Sequence, residues 1–321
     1  CYELKGAVHL PRLLVLSPSN TSIKELKPYF ESLTNLTASF LCLFVDHRGT
    51  GLSSMPSDDW PDPPAVSVYA DDALAILDHL GWQKCHVLGL SFGGMVAQEL
   101  SLTRPAAVES LALVCTSASV GAGGRDLGRG YPLHKLLDAP VESRITDQLL
   151  LADMRREAGW PYESKEGEAA MAYLTQLEQT MAQTPGALAG RRWQYTARAA
   201  HDVTARLQAL ADVPIRVAVL ASIHDGLAPP RAATALSAAL GSADRNGGPI
   251  WFECGHWPNL AREQPGQFAE ALKSFMLQGA VANGVRVNSQ ALGPTINFDR
   301  RRRDDCIGET LETLTDACLI L

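Results

Sequence analysis

Gly89-Leu90-Ser91-Phe92-Gly93-Gly94 lies between the aliphatic run 85–90 and a helical pattern over 95–102, and its reading decides the fold. Gly-x-Ser-x-Gly alone is weak, since roughly one chain in ten of this length carries it by chance. Its context is specific. A serine held on a sharp strand-to-helix turn needs small residues two before and two after it, where side chains would collide with the turn. Gly89 and Gly93 meet that need. The helix that follows points free N–H groups and its positive dipole end at the serine, which favours developing negative charge.

Working outward, aliphatic runs bounded by turn residues recur at 12–16, 41–45, 85–90, 110–115, 215–221 and 250–253. Several are apolar almost without alternation, as in strands covered on both faces. Helical patterns separate them. Ser22 and Glu25 have capping-box spacing and start a helix at Ile23. Over 66–80, Tyr69, Ala73, Ile76, Leu77 and Leu80 form one stripe, ended by Gly81. Phe268, Leu272, Phe275 and Met276 repeat that spacing. Alternating strands and helices predict an α/β fold with a doubly wound, mostly parallel sheet. After Cys115 come five glycines (Gly121, Gly123, Gly124, Gly128 and Gly130), read as a hinge or a mobile loop, and then helical patterns with no strand until 215. One of these carries Met171, Leu174, Leu177 and Met181 and ends at Pro185. The expected division is a core of 1–117 and 202–279, an inserted helical cap of 118–201 over the sheet's carboxyl edge, and a flexible tail of 280–321.

A serine hydroxyl needs a base within hydrogen-bond reach and a group that orients the base. With this elbow the chain order is serine, acid, histidine. Asp225 leaves the run 215–221 on a loop, and His256 follows the run 250–253, so Ser91, Asp225 and His256 form the expected triad.

Hydrophobic content of 46% and charged content of 20% suit a globular protein, so a sizeable core is expected. A net charge of −7 argues against a nucleic-acid surface, and no run approaches the roughly 18 apolar residues of a membrane span. The chain opens on Cys1 and is expected to be trimmed or partial. Cys42, Cys85 and Cys115 lie in or beside buried strands, and an odd count of seven cysteines without regular spacing fits neither a disulfide framework nor a zinc site. A cytoplasmic or other reducing compartment is expected. Sequons occur at Asn20 and Asn35. Cys318-Leu319-Ile320-Leu321, downstream of Arg300-Arg301-Arg302-Arg303, matches a prenylation box but is expected to be a fortuitous apolar end, so membrane contact is expected only if Cys318 is prenylated.

These residues together resemble the α/β-hydrolase fold enzymes over roughly residues 2–278. Asp46-His47-Arg48-Gly49-Thr50-Gly51-Leu52-Ser53 is similar to a loop these enzymes carry after a strand, and Gly255-His256-Trp257-Pro258-Asn259-Leu260 to their histidine loop. The branch it most resembles is that of small capped serine esterases and lactonases, such as 3-oxoadipate enol-lactonase. Ser91 argues against the family members with an aspartate nucleophile. The resemblance implies hydrolysis of a small carboxylic ester, lactone or thioester through an acyl-enzyme, with no metal and no organic cofactor. Carbon–carbon bond hydrolysis by the same residues, or a catalytically weak ligand-binding protein, are the alternatives. The family places His-Gly before half of its oxyanion hole. Here Ser17-Pro18 stands there, and proline lacks an N–H. By position, Ser19 and Phe92 N–H groups are the expected donors. Trp193, Tyr195 and Trp257 are candidates for substrate binding, and Trp160 and Met171 for the cap lining or plain core. Asp46 and Arg48 are expected to hold their loop, His224 to pack locally, and His201-Asp202 to be structural, since sequence neighbours on a helix do not face each other.

Overall fold

The computed structural model describes residues 1–55, 65–120, 132–241 and 248–279. Seven strands form one sheet: β1 (Tyr2–Lys5), β2 (Arg12–Leu16), β3 (Leu41–Val45), β4 (Cys85–Leu90), β5 (Val108–Val114), β6 (Arg216–Ser222) and β7 (Ile250–Phe252). Their order is β1-β3-β2-β4-β5-β6-β7, with β1 antiparallel to β3 and every other pairing parallel. β3 and β4 are buried at every position, which is why their sequences lack alternation. The side-chain period of two then divides each strand between two cores. Leu14, Leu16, Val87, Leu111 and Leu113 join one apolar cluster, while Leu13, Val15, Leu88, Leu90, Ala112 and Val114 join the other. Truncating one of these leucines to alanine costs about 2–5 kcal/mol.

Helices α1 (Ile23–Pro28), α2 (Val66–His79) and α3 (Phe92–Thr103) cover the two faces. The N-terminus of α1 is closed as its sequence requires, with Ser22 N donating to Glu25 Oε2 at 2.7 Å. Gly81, just past α2, takes the left-handed conformation (φ +65°) of a helix stop. Between β5 and β6 lie α4 (Val141–Ala152), α5 (Trp160–Glu163), α6 (Lys165–Gln183) and α7 (Ala187–Ala199), with no intervening strand. There, α4 and α5 pack on α6, and α6 touches α7. Met171, Leu174, Leu177 and Met181 on α6 are only half-buried. After β6 come α8 (Pro230–Ala239) and the two helices Trp257–Glu263 and Pro265–Lys273.

The later strands differ in their bounds from expectation, β6 lying one residue further on at each end and β7 ending one residue earlier, at Phe252. The fifth strand starts at Val108 and stops at Val114, because Cys115 has φ +46° and leaves the sheet. β1 has no apolar signature: its residues alternate exposed and half-buried, and it adds to β3 as an antiparallel edge. The glycine stretch 121–130, the tail 280–321 and Cys318 lie outside the described residues.

β2 and β4 are neighbours, yet the chain leaves β2 toward β3 on one side and enters β4 on the other. The crevice at the carboxyl ends of such a pair is where open α/β sheets bind ligands. The loops after β2 and β4 carry Ser19 and Ser91.

Candidate active site

Ser91 sits between β4 and α3 with φ 53° and ψ −114°, a strained conformation for a non-glycine residue. The crowding around the turn explains its glycines. A Cβ on Gly89 would lie 2.6 Å from Gly93 O, and one on Gly93 would lie 2.1 Å from Leu16 O and 2.6 Å from Ser17 O. The turn is tied to the end of β5: Ser91 N donates to Val114 O at 2.9 Å, and Thr116 Oγ1 donates to Ser91 O at 2.7 Å. Phe92 is the first residue of α3, so no helical carbonyl reaches its N–H.

Asp225 leaves β6 on a buried loop. Its Oδ1 accepts from Leu227 N and Ala228 N, each at 2.8 Å, and its Oδ2 accepts from His256 Nδ1 at 2.7 Å. A carboxylate accepts only, so the proton rests on Nδ1 and Nε2 keeps its lone pair. His256 is buried and caps helix Trp257–Glu263, and its N donates to Ala152 O at the end of α4 at 2.6 Å. The structure therefore brings Asp225 and His256 together. Ser91 Oγ makes no hydrogen bond to His256 here. Such contacts are often loose before substrate binds.

Cys115, also buried, lies against this pair, with its Sγ and the donor atoms of Asp225 and His256 all within 4.8 Å of one another. Three donors this close resemble a metal cluster in spacing. Burial pushes the Cys115 thiol well above its ordinary range, and the Asp225–His256 hydrogen bond already uses the facing atoms of that pair.

The loop after β2 is held from several sides. Ser17 O accepts from His47 Nε2 at 3.1 Å. His47 is edge-on to Phe92 and Tyr69, and burial lowers its pKa to about 4, so it is neutral at pH 7. Asp46 accepts from Ile23 N at 2.6 Å and Leu52 N at 2.9 Å. Asn20 takes a left-handed conformation (φ 56°), and its N donates to Gln194 Oε1 at 2.8 Å. Among the described residues, Ser19 N–H meets no acceptor, and Ser17 Oγ, Ser19 Oγ and Asn20 Oδ1 are buried without partners. Free donors and unpartnered polar atoms thus collect beside Ser91.

The remaining candidates are dispersed. Arg48 forms a two-pronged ion pair with Asp72 at 2.5–2.7 Å. Tyr195 is buried on α7 against the Asn20 amide, and burial raises its phenol pKa. Trp193 is half-buried on the same helix. Trp257 packs in the apolar core, its ring 4.9 Å from that of Tyr29. Trp160 lies under the Arg156 guanidinium at 3.8 Å. Met171 Sδ is 3.9 Å from Thr146 Oγ1. His224 is half-buried and its N donates to Cys254 O. His201 is buried 3.9 Å from Glu99, while Asp202 Oδ1 accepts from Thr204 N. Sequence reasoning gave no role to His47, Cys115 or Gln194. The last carried a usable signal: Gly190 and Gln194 are one helical turn apart, so a bare backbone patch and a carboxamide share one face.

A model of the alpha/beta hydrolase family matches residues 24–271. A candidate carbamate hydrolase (RutD) from Caulobacter segnis is 27% identical over 264 residues, covering 76% of this chain and 85% of that protein. Against proteins of the same name from two Pseudomonas strains the chain spans only 31% of their length. A hydrolase from Pseudomonas aeruginosa superposes with a TM-score of 0.64 at 25% identity, covering 86% of this chain and 93% of that one. The enol-lactonase from Burkholderia xenovorans LB400 gives 0.64 at 19% identity, with 86% and 95% covered, a likeness of fold. The chain belongs to the alpha/beta hydrolase family.

Proposed function

We propose that this alpha/beta hydrolase cleaves a small carboxylic ester, lactone or thioester through an acyl-enzyme formed on Ser91. The observation that carries the proposal is the Asp225–His256 hydrogen bond at 2.7 Å, which leaves Nε2 free to act as a base. Ser91 Oγ attacks the substrate carbonyl as His256 Nε2 takes its proton, and Asp225 stabilises the imidazolium. The tetrahedral oxyanion rests on the N–H groups of Phe92 and Ser19. His256 then protonates the leaving group and activates water for deacylation. A carbamate, the substrate class in the relatives' name, presents the same carbonyl and fits the same steps.

Among the described residues no helix is long and apolar enough to cross a membrane. The buried free thiols of Cys42, Cys85, Cys115 and Cys254 support a reducing compartment. The test is turnover of p-nitrophenyl acetate, p-nitrophenyl butyrate, δ-valerolactone and phenyl carbamate. Hydrolysis of at least one, abolished in Ser91→Ala, is the expected result. A folded wild-type protein inert toward all four overturns the proposal.

A further inference from the structure

We propose that Gln194, on the inserted helix α7, is a positioning residue that holds the loop after β2 so that Ser19 N–H faces the oxyanion. The inference rests on the acyl-enzyme reading above. With Ser17-Pro18 at its start, this loop has one N–H fewer with which to organise itself. Its ends are fixed, by His47 on Ser17 O and by Asp46 on Ile23 N. Its middle is not held by its own backbone beyond a long Thr21 N to Pro18 O bond of 3.3 Å. The short bond there is Asn20 N to Gln194 Oε1, at 2.8 Å. It fixes the residue next to Ser19, in a left-handed conformation that a non-glycine residue keeps only where its surroundings enforce it.

The carboxamide of Gln194 is fully buried, and its orientation is determined on both sides. Nε2 donates to Thr50 Oγ1 at 2.6 Å and to Arg48 O at 3.2 Å, so Oε1 must face Asn20 N. A flipped amide would set N–H against N–H and carbonyl against carbonyl. Gly190 brings the helix this close: a Cβ there would lie 2.1 Å from Gly49 O. The opposite end of the insertion holds the other catalytic loops in the same manner, through Leu151 O on Gly226 N and Ala152 O on His256 N. The insertion thus braces these loops through both its first and its last long helix. Since catalytic donors must be held within about 0.5 Å of their productive position, a loosened Asn20 moves Ser19 N–H out of range.

The experiment uses Gln194→Met, which keeps length and volume but cannot donate and accepts only weakly. The readouts are kcat and KM for p-nitrophenyl butyrate, the rate of phosphonylation by a fluorophosphonate, and the melting temperature. A fall in kcat of roughly 10–100-fold per titrated site, with KM within about twofold and slower phosphonylation in parallel, is expected. A merely structural role lowers the melting temperature and the number of titrated sites while each remaining site turns over normally, and that result overturns the inference. Should Gln194→Met fail to fold, Thr50→Val removes one anchor of the carboxamide; severalfold lower kcat at constant KM supports the inference, and unchanged kcat overturns it. Wild-type protein inert to every aryl ester defeats the acyl-enzyme reading and this inference with it. Active wild type beside an undiminished Gln194→Met defeats this inference alone.

Discussion

Gly93→Ala is a single-methyl change whose consequence follows from distances. The added Cβ would stand 2.1 Å from Leu16 O, 2.4 Å from Leu16 C and 2.6 Å from Ser17 O. All three atoms are backbone, at the end of β2 and the start of the loop that carries Ser19. Carbon rarely approaches such atoms closer than 3.0 Å, so α3 and this loop must part by about 1 Å. Overpacking of that kind costs about 1–3 kcal/mol of stability. A misplacement of about 1 Å in a catalytic constellation costs on the order of 100-fold in rate. The proposed oxyanion hole is split between the two elements being driven apart, with Phe92 N–H on one and Ser19 N–H on the other. The expected result is therefore a kcat loss of roughly 100-fold for p-nitrophenyl butyrate, at a temperature where thermal melting shows the variant folded. Wild-type kcat in a folded Gly93→Ala protein would refute the assignment of these two N–H groups.

Asp225→Asn keeps the Oδ1 contacts to Leu227 and Ala228 but offers His256 Nδ1 a donor, forcing the wrong tautomer; kcat should fall on the order of 10⁴-fold with little change in KM. Gly266→Ala is the converse of Gly93→Ala: its Cβ would meet nothing within 4 Å, so it should raise stability by up to about 1 kcal/mol in thermal melts and leave kcat unchanged. His47 is held neutral by burial, with a pKa of about 4 against an ordinary 6.5. The unfolded chain therefore binds a proton before the folded one does. Stability from this group is complete above pH 6.5 and is lost as pH falls toward 4, by on the order of 3 kcal/mol. Melting temperature against pH should drop over that window, and His47→Gln should flatten the drop.

Strands β2, β3 and β4 were legible to the residue because burial on both faces writes them as uninterrupted aliphatic runs. β1 was not: with Glu3 and Lys5 in its alternation and solvent on its free edge, its pairing with β3 comes from position rather than composition. The pairing of Asp225 with His256 could be anticipated because each follows a strand in a fixed chain order. What holds the surrounding loops could not. His47, Gln194 and the end of α4 act through contacts across large sequence separations, and α7 is polar enough to read as a surface helix. Trp257 shows the opposite limit, since an aromatic beside the histidine invites a binding role while its ring packs against Tyr29 in the core.

The central claim, that Ser91 is an activated nucleophile, is tested most directly by intact mass spectrometry and peptide mapping after treatment with a fluorophosphonate. One phosphonyl adduct on the peptide containing Ser91, absent from Ser91→Ala, is the predicted result. Folded wild-type protein that takes up no adduct, or an adduct retained in Ser91→Ala, would contradict it.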